Sequence, residues 1–211
     1  MEIRSPALKG ANSIYLSAGI HGDEPAGPAG LYEWAFKHEG TVSSLPLILY
    51  PCLNPWGLIN NSRLDADGVD LNRIWGQPNH PLVNMVRRSL GRTELLLSLQ
   101  LHEDFDGQGI YLYEPSRGGK PDDSANLILD SAKHLIGRDF RSKIDGRKAR
   151  DGIIRPRPRN LPAEGMPEAI FLLQKKHHRN FTIETPSEFS FDLRKSAHLQ
   201  MIDQAVRIIK Q

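Results

Sequence analysis

The stretch SIYLSAGIHGDEPAG, residues 13–27, joins a short apolar run to a glycine-rich turn. The run SIYLSAGI is rich in β-forming residues and ends in glycine, so it predicts a buried strand over residues 13–20. His21 and Glu24 follow that strand directly, with Gly22 between them to let the backbone bend. The stretch therefore predicts a strand that delivers a histidine and a glutamate to one tight turn.

Outside this stretch, segments typical of strands and helices alternate along the chain. Residues 56–75 are dense in Asn, Asp, Gly and Arg without a clean period, and are predicted to be loop. The alternation indicates an α/β sandwich with a mostly parallel or mixed sheet. Strands are predicted at 13–20, 45–54, 96–102, 109–115 and 180–184, and helices at 25–40, 79–92, 122–137 and 192–211.

Polar side chains stand where several of these strands end. His21 and Glu24 follow the first strand, residues 54–73 follow the second, residues 102–106 follow the third, and Glu184 ends a late one. In open α/β sheets, ligands bind just beyond the carboxyl ends of the strands. This repeated placement predicts one shared site at an edge of the sheet, and it is stronger than any single motif.

The residue types in these clusters match a catalytic zinc site. Catalytic zinc takes three protein ligands, keeps one position open, and lowers the pKa of a coordinated water to about 7. His21 and Glu24 supply two ligands, His102 supplies the third, and Glu184 is a candidate general base. Each of these candidate residues also has a structural interpretation without a metal. An isolated HxxE pair occurs often by chance. His102 could lie in a solvated strand end, and Glu184 could cap the next segment.

Composition and charge exclude several other classes of protein. The 211 residues suffice for one domain with a sizeable core, and the formal charge of +2 is too small to indicate nucleic-acid binding. The chain holds no apolar run of membrane-spanning length, and its first ten residues do not match a secretory signal. The single cysteine, Cys52, excludes an intrachain disulfide. We therefore expect a soluble, cytoplasmic protein without nucleic-acid or membrane partners.

The segment 54–73, NPWGLINNSRLDADGVDLNR, completes an ordered set of motifs. HGDE stands at 21–24, NPWG at 54–57, an arginine at 63, GVDLNR at 68–73, and LHED and TIETP follow downstream. This order resembles the zinc carboxypeptidase superfamily, including small bacterial members that cleave murein peptides. The resemblance spans about residues 13–190. It implies a three-layer α/β/α sandwich with a mixed, mostly parallel sheet, and a single catalytic domain over residues 1–211.

The resemblance also implies a metal-binding role for part of the set. His21, Glu24 and His102 would be the ligands of one zinc ion. Asp70 would hold the His21 ring in the tautomer that the metal needs. The residues alone had already suggested the three ligands, whereas Asp70 is added by the resemblance.

Catalytic and substrate-binding roles follow from the same resemblance. Arg63 would polarise the scissile carbonyl and stabilise the developing oxyanion. Asn72 and Arg73 would bind a free substrate carboxylate, for which the planar guanidinium offers two parallel hydrogen bonds. Glu184 would take a proton from the attacking water and pass it to the leaving amine.

Three features depart from the superfamily pattern: a short separation of 81 positions between His21 and His102, a missing tyrosine and an acidic pair. The chain has no tyrosine between Tyr113 and Glu184, so the position of a tyrosine on a mobile loop is vacant or filled by another residue. Glu103 and Asp104 form an acidic pair that could bind the basic stretch 147–159 or recognise a substrate amine. The Pro- and Arg-rich segment 147–165 is predicted to be a loop near the mouth of the site, either a solvated loop or a lid for acidic substrates.

Two kinds of enzyme and one non-enzymatic class remain open. A zinc-dependent metallocarboxypeptidase would hydrolyse the amide bond next to a free carboxylate, removing the last residue of a peptide, including a murein-derived one. An N-acyl amino acid deacylase resembling succinylglutamate desuccinylases and aspartoacylases would use a very similar set. NPWG and GVDLNR favour the carboxypeptidase. A non-catalytic binding protein on the same scaffold would need a lost ligand or base, and none is lost.

Overall fold

The fold is described from a computed structural model that covers residues 1–8, 12–77, 79–115, 121–156, 165–175 and 178–210. These residues form one mixed sheet with helices on both faces. Its nine strands are Ile3–Arg4 (β1), Ser13–Ala18 (β2), Leu47–Tyr50 (β3), Leu95–Asp104 (β4), Tyr111–Tyr113 (β5), Lys143–Ile144 (β6), Arg147–Arg150 (β7), Ile153–Ile154 (β8) and Arg179–Pro186 (β9).

The helices lie between and after these strands. A 3₁₀ turn, Leu71–Arg73, lies within the GVDLNR motif. None of the helices among the described residues is long and apolar enough to cross a membrane. The α-helices are Ala26–Lys37 (α1), Glu39–Ser44 (α2), Pro55–Asn60 (α3), Pro81–Leu90 (α4), Ser124–Ala132 (α5), Glu168–Leu172 (α6) and Phe191–Lys210 (α7).

The order of the strands across the sheet is β1-β3-β2-β4-β9-β5-β8-β7-β6. Four central neighbours, β3, β2, β4 and β9, are parallel to one another. β1 is antiparallel to β3 at one side, and β5 is antiparallel to β9 at the other. The carboxyl ends of the four central strands therefore share one edge of the sheet, as expected from the positions of the polar clusters.

The central strands are apolar because both faces of the sheet are covered. In β2, Ile14 and Leu16 face a core formed with α1, α5 and α7, whereas Tyr15 faces a second core formed with α4 and α6. All six residues of β2 are buried. The two cores on opposite faces of one sheet are the three-layer α/β/α arrangement that was predicted, so that prediction is confirmed.

Two segments that were predicted to be loop differ in the structure. Residues 56–75 contain most of α3 and the 3₁₀ turn. Asp70 caps the start of that turn, since its carboxylate accepts from the Asn72 N–H. Part of segment 147–165 forms strands β7 and β8, while residues 157–164 lie outside the described part. The strands form because two Asp-Gly pairs, 145–146 and 151–152, adopt the positive φ angles that tight hairpin turns require.

Candidate active site

His21 and Glu24 leave β2 at the central edge of the sheet and lie just before α1. Nδ1 of His21 lies 2.6 Å from Oε1 of Glu24. Both side chains are buried, with His21 3% and Glu24 6% exposed. A histidine and a carboxylate with so little contact with water need a partner for every polar atom.

Glycine is needed at position 22 because the backbone packs closely there, and not because the position has an unusual dihedral angle. The positive φ of 62° belongs to Gly19, where the strand ends. A Cβ at Gly22 would lie 1.9 Å from the carbonyl carbon of Gly57 in α3. The predicted bend at Gly22 is thus corrected: only a glycine lets the turn lie directly against the backbone of the NPWG motif.

His102 comes from the neighbouring strand β4 and meets the same carboxylate. Its Nδ1 lies 2.9 Å from Oε2 of Glu24, and the ring centroids of His21 and His102 are 5.0 Å apart. One ligand atom from each of the three residues lies within 4.8 Å of the others. Two imidazoles and one carboxylate converging in this way fit the donor set of a catalytic metal ion.

The charges of this cluster support one another. Burial alone would raise the pKa of Glu24, but His102 and His21 outweigh it and lower the pKa to about 2. Burial alone would lower the pKa of each histidine, but Glu24 raises both. Because a metal ion binds the deprotonated ligands, metal binding and release of these protons are coupled.

Asp70 lies behind His21 and links it to Arg63. Nε2 of His21 lies 3.3 Å from Oδ1 of Asp70, while Nε of Arg63 donates to Oδ2 of Asp70 at 3.2 Å. When His21 is neutral, a proton on Nε2 leaves the lone pair of Nδ1 directed at Glu24, as a metal ligand requires. Burial would raise the pKa of Asp70, but hydrogen bonding and charge from His21 and the charge of Arg63 hold it below the usual range.

Asn72 and Arg73, the carboxylate-binding pair of the hypothesis, stand on the 3₁₀ turn and line the same pocket. Oδ1 of Asn72 accepts from the backbone N–H of Glu168 at 2.9 Å. Nη1 of Arg73 donates to the carbonyl of Asn72 at 3.1 Å. Among the described residues, these two side chains make no other hydrogen bond, so their remaining donors can meet an anion.

Glu184 lies on β9, in register with His102 on one side and Tyr111 on the other. Burial raises its pKa to about 8; nearby carboxylates add to the effect and His102 opposes it. A carboxyl group with a pKa near neutrality, next to two metal-type ligands, is suited to accept and return a proton.

These side chains line one pocket of about 620 Å³. All of the site residues predicted from the sequence are in its wall except Asp70, which supports His21 from behind. Much of the rest of the wall was not predicted from the sequence. These side chains are those of Gln100, Tyr111, Tyr113, Asp145 and Thr182, among others.

A simple signal could have found some of the missed residues. Side chains two apart on a strand share a face. Gln100 stands two before His102, and Thr182 stands two before Glu184, so each extends the pocket along its strand. The side-chain NH₂ group of Gln100 donates to Oγ1 of Thr182 at 3.2 Å, which makes this part of the wall polar.

Glu103 and Asp104 have different roles from each other. The carboxylate of Glu103 forms an ion pair with Arg194 of α7 and accepts from the N–H of Ala26 at 2.7 Å. Among the described residues, the partner of Glu103 is therefore Arg194 and not a residue of the basic stretch 147–159. Asp104 accepts from the hydroxyl of Tyr111 at 2.9 Å and lines the pocket.

The basic stretch reaches the pocket through a tight hairpin. Arg147, at the start of β7, lines the pocket together with Asp145 of the preceding turn. The hydroxyl of Tyr113 donates to Oδ2 of Asp145 at 2.7 Å and fastens the turn to the sheet. The chain has no tyrosine between Tyr113 and Glu184, but the side chains of Tyr111 and Tyr113 on strand β5 do line the pocket.

Comparison with known families supports the resemblance. The sequence model of the succinylglutamate desuccinylase/aspartoacylase catalytic domain matches residues 10–106. Mouse cytosolic carboxypeptidase 1 is 33% identical over 95 residues, which cover 41% of this chain and 8% of that protein. The chain thus corresponds to a small part of that relative.

Solved structures agree over nearly the whole chain. A Shewanella baltica OS155 protein described as a "putative metallopeptidase" superposes with a TM-score of 0.82 at 21% identity, over 98% of this chain and 80% of its own. A metallo-carboxypeptidase from Pseudomonas aeruginosa gives 0.70 at 19% identity, over 99% and 60%. This chain therefore shares the fold of these proteins, and the predicted resemblance is confirmed at the level of the fold.

Proposed function

We propose that this protein is a zinc-dependent metallocarboxypeptidase that hydrolyses the amide bond next to a free carboxylate. The observation that carries the proposal is the meeting of His21, Glu24 and His102 with Glu184 in one pocket. The substrate class is a short peptide that loses its C-terminal residue, with murein-derived peptides among the candidates.

Zinc bound by His21, Glu24 and His102 would act as a Lewis acid and lower the pKa of a water to about 7. Glu184 accepts the proton of the attacking water and returns it to the nitrogen of the leaving amine. Its raised pKa supports both halves of this transfer, because the group can hold a proton near neutral pH. Asp70 keeps the His21 ring oriented throughout.

The arginines and Asn72 act on the substrate itself. Arg63 lies beside the metal ligands, with Nη1 3.7 Å from Oε1 of Glu24, where a guanidinium can stabilise the oxyanion that forms. Arg73 and Asn72 bind the free carboxylate of the substrate with charge-assisted and amide hydrogen bonds. The free carboxylate and the scissile bond are therefore both fixed relative to Glu184.

A second candidate is an N-acyl amino acid deacylase. The match of residues 10–106 to the succinylglutamate desuccinylase/aspartoacylase catalytic domain favours it. The same ligands, base and carboxylate-binding pair would serve, because this reaction also cleaves an amide next to a free carboxylate. The two candidates differ only in what stands on the acyl side of that bond.

One experiment tests both candidates. The zinc-loaded protein is incubated with free peptides, γ-linked murein peptides and N-acyl amino acids, and the released amino acid is quantified. We expect release from one class, and we expect Glu184→Gln to abolish it without loss of zinc. Glu188→Gln, an exposed position beyond the same strand, is the matched control and should keep full activity.

The outcomes separate the alternatives. Release from peptides supports the carboxypeptidase, and release from N-acyl amino acids alone supports the deacylase. A fully zinc-loaded wild type that releases nothing from any class supports the non-catalytic binding protein. Activity that survives in Glu184→Gln shows that another group is the base.

A further inference from the structure

Glu168 is a buried carboxyl group that the proposed reaction does not use. It opens helix α6 and is 1% exposed. The hydroxyl of Tyr15, a fully buried residue of β2, donates to its Oε1 at 2.5 Å. Burial raises the pKa of Glu168, while the hydrogen bond from Tyr15 opposes the rise. A carboxyl group kept in such a place needs a structural or functional reason.

The backbone of Glu168 makes a second contact that reaches the pocket. Its N–H donates to Oδ1 of Asn72 at 2.9 Å. An amide side chain has one oxygen and one NH₂ group, so fixing the oxygen on a donor decides which way the amide faces. Among the described residues the NH₂ group of Asn72 has no partner, so it is left for an acceptor in the pocket.

The neighbouring backbone ties the same two segments together. The N–H of Met166 donates to the carbonyl of Arg73 at 2.8 Å, and the N–H of Trp75 donates to the carbonyl of Met166 at 3.0 Å. The N–H of Asn72 in turn donates to Oδ1 of Asp70 at 2.9 Å. A chain of hydrogen bonds therefore runs from the sheet at Tyr15, through Glu168 and Asn72, to Asp70.

We propose that Glu168 is a positioning residue for the carboxylate-binding pair. Its side chain, fastened to Tyr15, fixes where its own N–H meets Asn72. Asn72 then presents its NH₂ group, beside the guanidinium of Arg73, to the carboxylate of the substrate. This inference rests on the proposed function, because it assumes that the pair binds a substrate carboxylate.

A double-mutant cycle tests the inference, using the substrate that the panel identifies. We expect Glu168→Ala and Tyr15→Phe to raise KM by about tenfold and about threefold, with kcat within about twofold of wild type. Glu168→Gln keeps a hydrogen-bonding side chain of the same shape and should keep KM near the wild-type value. Tyr50→Phe, on the neighbouring strand with its ring 5.8 Å from that of Tyr15, is the matched control.

The coupling between Glu168 and Asn72 is the decisive readout. Asn72→Ala should raise KM, and adding Glu168→Ala to it should raise KM no further, because Glu168 acts through Asn72. Independent effects that multiply in the double variant overturn the proposal. A Glu168→Ala protein that melts at a lower temperature but binds substrate with unchanged KM overturns it as well.

Failure of the proposed reaction is distinguishable from failure of this inference. If the wild type hydrolyses nothing, binding of N-acetylglycine to the same variants is measured by isothermal titration. Weaker binding in Glu168→Ala, restored in Glu168→Gln, supports the positioning role without any turnover. Equal binding in all variants, or no binding to the wild type, overturns it.

Discussion

Arg63 and Arg73 line the same pocket, but their positions predict that replacing them has different effects on kcat and KM. Arg63 is held by Asp70 beside the candidate metal ligands, whereas Arg73 stands on the 3₁₀ turn with Asn72. We expect Arg63→Ala to lower kcat about 100-fold, since it removes oxyanion stabilisation. Arg73→Ala should mainly raise KM, since it removes ground-state binding of the carboxylate. Steady-state kinetics measure both, and a reversed pattern would exchange the two roles.

The raised pKa of Glu184 predicts how the rate depends on pH. The base must be ionised, so kcat/KM rises with pH as Glu184 loses its proton and levels off above its pKa. Burial raises that pKa to about 8, and a bound divalent cation lowers it again by favouring the carboxylate. We therefore expect an ascending limb with a midpoint below 8 in the zinc-loaded protein. A pH-rate profile that falls as pH rises through neutrality contradicts this assignment.

At the residue scale, the sequence indicated which side chains line the pocket as candidate ligands and candidate base, because they stand at strand ends in recognisable motifs. Glu168 was not predictable in this way. Its contacts join residue 168 to residues 15 and 72, and no spacing or period in the sequence links those positions. Burial decides its role, and burial of a single carboxyl group is a property of the folded chain.

At the element scale, the turn after β2 depends on its contact with α3. The backbone of Gly22 lies against Gly57, and its N–H donates to the carbonyl of Ser62 at 2.9 Å. We expect Gly22→Ala to destabilise the protein by about 3 kcal/mol or more, because a Cβ there overlaps backbone that cannot move aside. Urea denaturation measures the change in the free energy of unfolding, and zinc stoichiometry reports on the ligands.

Gly40→Ala is the matched control for that substitution. Gly40 is exposed in helix α2, and no atom lies within 4 Å of where its Cβ would be. Alanine there should stabilise the helix by about 0.5–1 kcal/mol. Equal destabilisation by both substitutions would show that close packing at Gly22 is not the cause.

The strands of the central sheet and the long helices that pack on it were predictable because apolar residues recur in them at a regular spacing without interruption. The hairpin of β6 and β7 was missed because charged residues dominate Arg147–Arg150, where three of four side chains are exposed. Its one reliable signal is the Asp-Gly pair at 145–146, whose positive φ angles close the turn. Composition alone made this segment resemble a loop, although its backbone pairing makes it part of the sheet.

At the scale of the whole molecule, metal binding should raise thermal stability. The three ligands come from the turn before α1 and from β4, and they are buried together. Zinc that binds only the folded state adds about 4 kcal/mol at a free concentration 1,000 times Kd, and each kcal/mol raises Tm by about 2–4 °C in a chain of this size. Differential scanning fluorimetry with and without a chelator measures the shift.

The control for this prediction is His102→Asn, which removes one ligand. Zinc should then give a much smaller increase in Tm than it gives the wild type. An unchanged increase would place the metal elsewhere, and a wild type that zinc does not stabilise would contradict the metal site.

The position of β9 in the sheet has a consequence for incomplete chains. Among the described strands, β9 is the last in the sequence, yet it lies between β4 and β5. In a polypeptide that stops before residue 179, the edge of β4 that normally pairs with β9 has no partner. This ten-residue edge can then form hydrogen bonds with other molecules. We expect such truncated products to aggregate during synthesis, whereas a chain that includes β9 pairs this edge of β4 itself.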